Sequence, residues 1–293
     1  MVDGFLVIDK PAGISSHGVV GRVRRILGTK KVGHTGTLDP FATGVLPVAV
    51  GEGTKAIQFL DEGRKGYQAL VRLGLVTDTL DITGTVLREA DATAVTRQQL
   101  LAAMTSLTGA LEQIPPMYSA IKQGGQPLYK LARQGVEVER APRPVTIHRF
   151  ELLEYAPPLA RVAVTCSRGT YVRTLADDLG RLLGCGACLT ELRRTASGPF
   201  SLESALTLEQ LEACRDEGPL EQYWLSCRTV LNHLPGLELD EAEAARLRNG
   251  IAPRRDSATL PAATLLRLGH AGRLLAVAEA GDAGVLVLKR VFL

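Results

Sequence analysis

An α+β chain is predicted, with a mixed, mostly antiparallel sheet and a small separate unit at the C-terminal end. Three observations predict it. Short apolar runs of strand character are interspersed with amphipathic helical stretches. The two types do not alternate in the regular strand-helix-strand repeat that a parallel sheet requires. A break at Leu234-Pro235-Gly236 sets off a final stretch with its own helix and strand signals.

In chain order, Phe5 to Ile8 reads as a short buried strand. Ser16 to Leu27 reads as an amphipathic helix: Val19, Val20, Val23, Ile26 and Leu27 share one stripe, Ser16 can cap the start and Gly28 can end it. Val45 to Val50 is a second buried strand, and Tyr67 to Leu73 alternates like a third. Thr96 to Leu107 is helical, with Gly109 behind it. Ile114-Pro115-Pro116 then breaks the chain before a Gly-rich, basic stretch, Ser119 to Gly135, expected as an excursion from the main sheet. Arg161 to Thr165 is another strand. Thr170 to Leu183 is a helix, with Thr170 as its expected cap and Gly184 after the last turn. Asp240 and Glu243 form a capping-box pattern for a short helix, and Val285 to Leu288 is the closing strand. The expected division is 1–235 for the larger domain, with a basic insertion around 115–150, and 236–293 for the smaller one. So short a tail is expected to lean on its neighbour.

Composition bounds the function classes. A hydrophobic fraction of 45% and a charged fraction of 22% are ordinary for a soluble globular protein. No apolar run is long enough to span a membrane. The N-terminus has neither a basic n-region nor a long apolar h-region, so a cytoplasmic location is expected. The five cysteines, Cys166, Cys185, Cys188, Cys214 and Cys227, are too sparse for a disulfide framework. Cys185-Gly-Ala-Cys188 has no second ligand pair for zinc and reads as small apolar residues near a helix end. Net charge is only +3, yet Tyr118 to Arg149 carries six Lys/Arg against Glu137 and Glu139, and Arg22, Arg24, Arg25, Lys30 and Lys31 cluster near the first helix. Local basic surfaces of this kind suit a polyanion, or are simply solvated faces.

The most informative run is Gly33-His34-Thr35-Gly36-Thr37-Leu38-Asp39-Pro40-Phe41-Ala42-Thr43-Gly44. Its glycines permit tight turns or close approach of a ligand. Pro40 biases Asp39 away from helix. A lone carboxylate is thus displayed on a loop between two apolar neighbours, as a site residue or as the cap of the next element; the residues alone leave both open. His34, flanked by glycines, has little to pack against, and no partner ligands for a metal are in view. Gly51-Glu52-Gly53-Thr54-Lys55 lacks Walker A spacing, no G-x-G-x-x-G follows a strand, and no G-x-S-x-G elbow occurs. Nucleotide cofactors and covalent serine chemistry are therefore not indicated.

The GHTGTLDPFATG run resembles the catalytic motif of TruB-type bacterial tRNA pseudouridine synthases. Further motifs follow in that family's order: Asp9-Lys10-Pro11-Ala12-Gly13-Ile14-Ser15-Ser16, Lys65-Gly66-Tyr67, Pro115-Pro116-Met117-Tyr118-Ser119-Ala120-Ile121-Lys122, Ser167-Arg168-Gly169-Thr170-Tyr171-Val172-Arg173-Thr174 and Leu192-Arg193-Arg194. The resemblance covers roughly residues 4 to 200. The tail is more weakly similar to the small β-rich PUA module.

The resemblance implies isomerisation of uridine to pseudouridine at position 55 in the T-arm of tRNA, with the base flipped into a pocket. It makes Asp39, Tyr67 and Arg173 catalytic: Asp39 as the essential carboxylate, Arg173 as its partner, Tyr67 stacking on the uracil. Leu192 becomes an apolar wall, Lys10 a support at the substrate site, and His34 the occupant of space that the flipped base leaves. The basic insertion would clamp RNA. No metal or other cofactor is implied, and a monomer without an obligate protein partner is expected. A silent RNA-binding protein or the catalytic subunit of a guide-RNA complex would share many of these features. The short flanks around the motifs favour the stand-alone enzyme.

Overall fold

The strand Gly4–Lys10 lies one place in from an edge of the main sheet, and its sequence suits burial on both faces. Phe5 and Val7 point to one face, Leu6 and Ile8 to the other, and none of the four is exposed. A continuous apolar run is what a strand covered on both faces needs. It pairs antiparallel with Thr43–Val50, in register from Gly4 with Val50 to Lys10 with Gly44. The computed structural model describes residues 3–253, 261, 263–281 and 286–292.

Among the described residues the main sheet has ten strands. Its path runs from Ala205–Leu206 through Gly4–Lys10, Thr43–Val50, Ala187–Ser197, Arg64–Leu73, Leu159–Ser167 and Arg143–Ala156 to Gly109–Gln113; Val32–His34 and Phe200–Ser201 attach to its side. Two pairings, Gly4–Lys10 with Ala205–Leu206 and Ala187–Ser197 with Thr43–Val50, are parallel; the others are antiparallel. The fold is therefore α+β with a mixed, mostly antiparallel sheet, as predicted.

Helices cover the sheet in two places. Ser16–Leu27 buries Val19, Val20, Val23 and Ile26 against Leu6, Ile8, Leu46 and Val48. Gly28 ends it in the left-handed conformation, as expected. The cap is one residue earlier than expected: Ser15, not Ser16, accepts from Gly18 N. Ser16 is instead buried and turned toward the Asp39 loop. Arg97–Ser106 begins with a full Thr96–Gln99 capping box. Val172–Leu182 starts later than expected and without a side-chain cap at Tyr171. Thr170 falls one residue before the N-cap position, which Tyr171 occupies, and its hydroxyl stands 3.4 Å from that of Ser167. Gln113 braces the residue before the helix, with its Oε1 accepting from Tyr171 N at 3.0 Å and its Nε2 donating to Tyr171 O at 3.3 Å.

Two long strands escaped the sequence pattern. Arg143–Ala156 and Ala187–Ser197 each carry irregularities, between Ile147 and Arg149, Leu152 and Glu154, Leu189 and Glu191, and Arg194 and Ala196. Each breaks the period of two on which the pattern rests. The basic insertion is accordingly shorter than the expected 115–150: residues 143–150 are main-sheet strand, held there by pairing with Gly109–Gln113 and Leu159–Ser167. What leaves the sheet is a small hairpin, Lys122–Gln123 with Gln126–Pro127, and the helix Leu128–Arg133. Cys188 lies inside the strand Ala187–Ser197 rather than at a helix end.

The C-terminal segment forms a four-stranded sheet in the order Gly236–Glu238, Leu265–His270, Arg273–Ala280, Leu286–Val291. The helix Glu241–Arg248 has the expected Asp240–Glu243 capping box. The closing strand runs from Leu286; Val285 lies outside the described residues. Val277 and Phe292 share an apolar cluster with Phe5, Val7, Val45, Ala49 and Phe200 of the main sheet. No described helix is long and apolar enough to cross a membrane.

Candidate active site

The Asp39 loop is held by two of the other motifs. Ser16 Oγ accepts from Leu38 N at 2.8 Å and donates to Leu38 O at 3.1 Å. Lys10 is fully buried, and its ammonium donates to the carbonyls of Pro11, Ile14 and Pro40. Gly13 N also donates to Pro40 O. The backbone on each side of Asp39 is therefore tied to the Asp9–Ser16 segment. From the far side, Arg194, with no exposed surface, donates to Val45 O at 2.7 Å and Gly36 O at 3.1 Å. Arg193 grips Asp9 at two points, 2.7 and 3.1 Å.

Arg173, the second residue of its helix, is buried and meets the carboxylate of Asp39. Its Nη2 donates to Oδ1 at 3.1 Å and its Nε stands 2.9 Å from Oδ2. The same guanidinium donates to Thr79 O and Tyr118 O and lies 3.5 Å from Asp81. Arginine's rigid fork suits so many fixed acceptors. Burial pushes the Asp39 carboxyl above the ordinary range, Arg173 pulls it back, and Asp81 raises it again.

Beside this pair lies a cavity of about 300 Å³. Asp39, Arg173, Tyr67, Leu192, Lys65 and Tyr171 are among the residues that line it. Lys65 and Tyr67 point to it from one strand by the period of two. Leu192 and Arg194 stand beside them on one neighbouring strand, opposite Ala69 and Tyr67. Tyr67 belongs both to the apolar core and to the cavity wall. Burial drives its hydroxyl up to about 12, against the pull of nearby Arg194.

Four of the six expected site residues, Asp39, Tyr67, Arg173 and Leu192, therefore converge on one cavity. Two do not line it. Lys10 was expected at the substrate site, but it is sealed beneath the loop with its donors already used. Its pKa is lowered to about 8, first by burial, with Asp39 acting the other way. His34 is half-buried, with Nδ1 lacking a partner among the described residues. Burial, then Arg194 and His17, disfavours its charged form. Lys65 and Asp81 were missed. Nothing in the local pattern marks Asp81. Lys65 sits in a quoted motif but was overshadowed by Tyr67. Among the described residues no group of three or more His, Cys, Asp or Glu is placed to hold a metal ion.

The model of the TruB family pseudouridylate synthase N-terminal domain matches residues 24–172, and that of the tRNA pseudouridylate synthase B C-terminal domain matches residues 173–234. The chain belongs to the TruB family. The tRNA pseudouridine synthase B of Geobacter sulfurreducens is 50% identical over 303 residues, covering 99% of this chain and 100% of that protein. Its namesake in Pseudomonas aeruginosa strain UCBPP-PA14 is 47% identical, covering 99% and 96%. Among solved structures, a Cbf5–Nop10–Gar1 complex contains a chain with a TM-score of 0.73 and 26% identity, covering 99% of this chain and 85% of that one. An H/ACA RNP bound to a substrate RNA containing 2′-deoxyuridine gives 0.75 and 25%, with the same coverage. In this TruB chain the two family models meet between Val172 and Arg173, inside the segment that brings Arg173 to Asp39.

Proposed function

We propose that the protein isomerises uridine to pseudouridine at position 55 in the T-arm of tRNA, with Asp39 as the reacting carboxylate. The observation that carries the reading is a carboxylate held by a buried arginine at the wall of a cavity with an aromatic and an aliphatic neighbour. The size is near the lower end for ligand sites. A uridine in a folded loop reaches such a carboxylate only when flipped out of its stack.

The reaction breaks the N1–C1′ bond, turns the uracil and joins C5 to C1′. C5 loses its proton and N1 gains one, so composition and redox state are unchanged. Ionised Asp39 attacks the sugar or the base, or removes a sugar proton. Arg173 holds the carboxylate in one orientation and favours its charged form. Tyr67 offers its ring to the displaced base, and Leu192 excludes water beside it. Lys10 acts through the loop it holds. His34, which does not line the cavity, fills the gap that the base leaves in the RNA. The 119–135 excursion, basic and next to the cavity through Ser119, Ala120 and Ile121, clamps the RNA backbone, and residues 236–293 form a second RNA-binding unit.

The test is mass-spectrometric mapping of pseudouridine in an unmodified tRNA incubated with the pure protein and no guide RNA. Pseudouridine at position 55 alone is expected, and Asp39→Asn should lower the rate by on the order of 10³-fold or more while RNA affinity stays within a few-fold. Product appearing only when a guide RNA is added would favour the guide-dependent class instead. Tight binding with no product under either condition would leave an RNA-binding protein without this chemistry.

A further inference from the structure

Among the described residues, Lys65 has no carboxylate within ion-pair distance. It lines the cavity two residues before Tyr67 on the same face of one strand. Half-buried, it forms no ion pair within 4 Å and donates no hydrogen bond among the described residues. Glu62 acts on it favourably but from beyond ion-pair distance, while Arg194 and exposed Arg168 repel it. Its ammonium also comes close to the Gly36 backbone: a side chain at Gly36 would meet Lys65 Nζ at 3.0 Å. A partly desolvated ammonium among other cations is unfavourable unless an anion completes the site.

We propose that Lys65 binds a backbone phosphate flanking the extruded nucleotide, and so is a substrate-positioning residue of this site; the proposal rests on the function proposed above. Any flipped nucleotide carries phosphates at both its 5′ and 3′ sides. The uracil carbonyls are neutral and would not offset the repulsion from Arg194 and Arg168. Arg173 is not free to take the phosphate, because its donors are used by Asp39, Thr79 and Tyr118. With Lys65 on the phosphate and Tyr67 against the base, one strand would fix both ends of the nucleotide.

The experiment uses T-arm stem-loops in which the phosphate 5′ or 3′ of the target uridine is replaced by a neutral methylphosphonate. Affinity is measured over a range of salt for the wild-type protein and for Lys65→Gln and Lys65→Arg. One of the two neutral linkages should weaken wild-type binding about tenfold, and Lys65→Gln should bind the native RNA with the same loss. Lys65→Gln should be indifferent to that linkage, and its plot of log affinity against log salt should be shallower by about 0.7–0.9. Lys65→Arg should keep the linkage sensitivity. A wild type that tolerates both neutral linkages would overturn the proposal, and that measurement needs no variant. So would a Lys65→Gln loss of equal size on native and neutral RNA, which would point to a uracil contact or a structural role. Pseudouridine formation by the wild type on the native stem-loop is followed in parallel. Its absence would count against the proposed function, whereas product formation with linkage-indifferent binding would count only against Lys65.

Discussion

At the scale of single residues, the site rests on an ion pair whose two halves are constrained differently. Arg173 is locked by four acceptors, while Asp39 keeps about a third of its side chain exposed toward the cavity. Lysine in place of Arg173 keeps the charge but cannot span Asp39, Thr79 O and Tyr118 O together. Arg173→Lys is therefore expected to slow single-turnover pseudouridine formation by about 10²-fold, and a wild-type rate would show that the fork geometry is idle. Because burial raises the Asp39 carboxyl above its ordinary range, the acid limb of the rate should lie above about pH 4. In the window between the ordinary and the raised pKa, the native state binds more protons than the unfolded chain. Falling pH there removes activity while the Asp39 contribution to stability increases. Paired rate and melting measurements check this, and a simultaneous loss of both would assign the limb to unfolding. Tyr67→Phe should keep RNA affinity and lose rate if the hydroxyl takes part, whereas Tyr67→Leu should also lose stacking worth roughly 1–3 kcal/mol. Equal, wild-type-like rates for the two would leave Tyr67 as core alone.

At the scale of elements, the helix Ser16–Leu27 does two jobs from one turn. Ser15 caps it, and Ser16 closes both backbone groups of Leu38, the residue before Asp39. The sequence pattern identified the helix to the residue but assigned the cap to the wrong serine. Adjacent serines are equivalent by local rules; only the approach of the Asp39 loop distinguishes them. Ser16→Ala leaves a buried N–H and C=O without their partner and should cost about 1–3 kcal/mol. Since Leu38 anchors Asp39, the rate constant should fall more than RNA affinity does. A variant that loses stability with an unchanged rate would separate Ser16 from the site. Val172–Leu182 depends in the same way on a distant residue. Its start is held by Gln113, from a strand nearly sixty residues earlier, and no local cap signal could have found that.

For the whole molecule, the tail is more than an appendage. The face of the main sheet bearing Phe5, Val7, Val45 and Ala49 is covered in part by Val277 and Phe292, and Lys55 donates to Val291 O across the seam. Ending the chain near Leu234 uncovers that face. Losing Val277 and Phe292 alone should cost roughly 3–6 kcal/mol, a fall in melting temperature on the order of 10 °C for a chain of this size. The folded fraction is still expected to modify a minimal T-arm, because Asp39, Tyr67, Arg173 and Leu192 all precede the cut. A well-folded truncation that binds the stem-loop but makes no product would show that the tail helps shape the cavity.

Taken alone, the sequence pattern determined the α+β class, four of the helices and five of the strands, because periodic burial is a local signal; the four expected residues that line the cavity came from the family resemblance of its motifs. It did not determine the bulged strands Arg143–Ala156 and Ala187–Ser197, whose irregularities erase the period of two. Nor did it reveal that Lys10 works from beneath the loop, that Asp81 and Lys65 stand at the site, or that the tail completes a core begun by Phe5 and Val7. Those facts depend on which strand lies beside which. Arg194 reaches Gly36, and Arg173 reaches Asp39, only after the sheet has brought segments more than a hundred residues apart into contact, and that pairing was a decision of the tertiary structure.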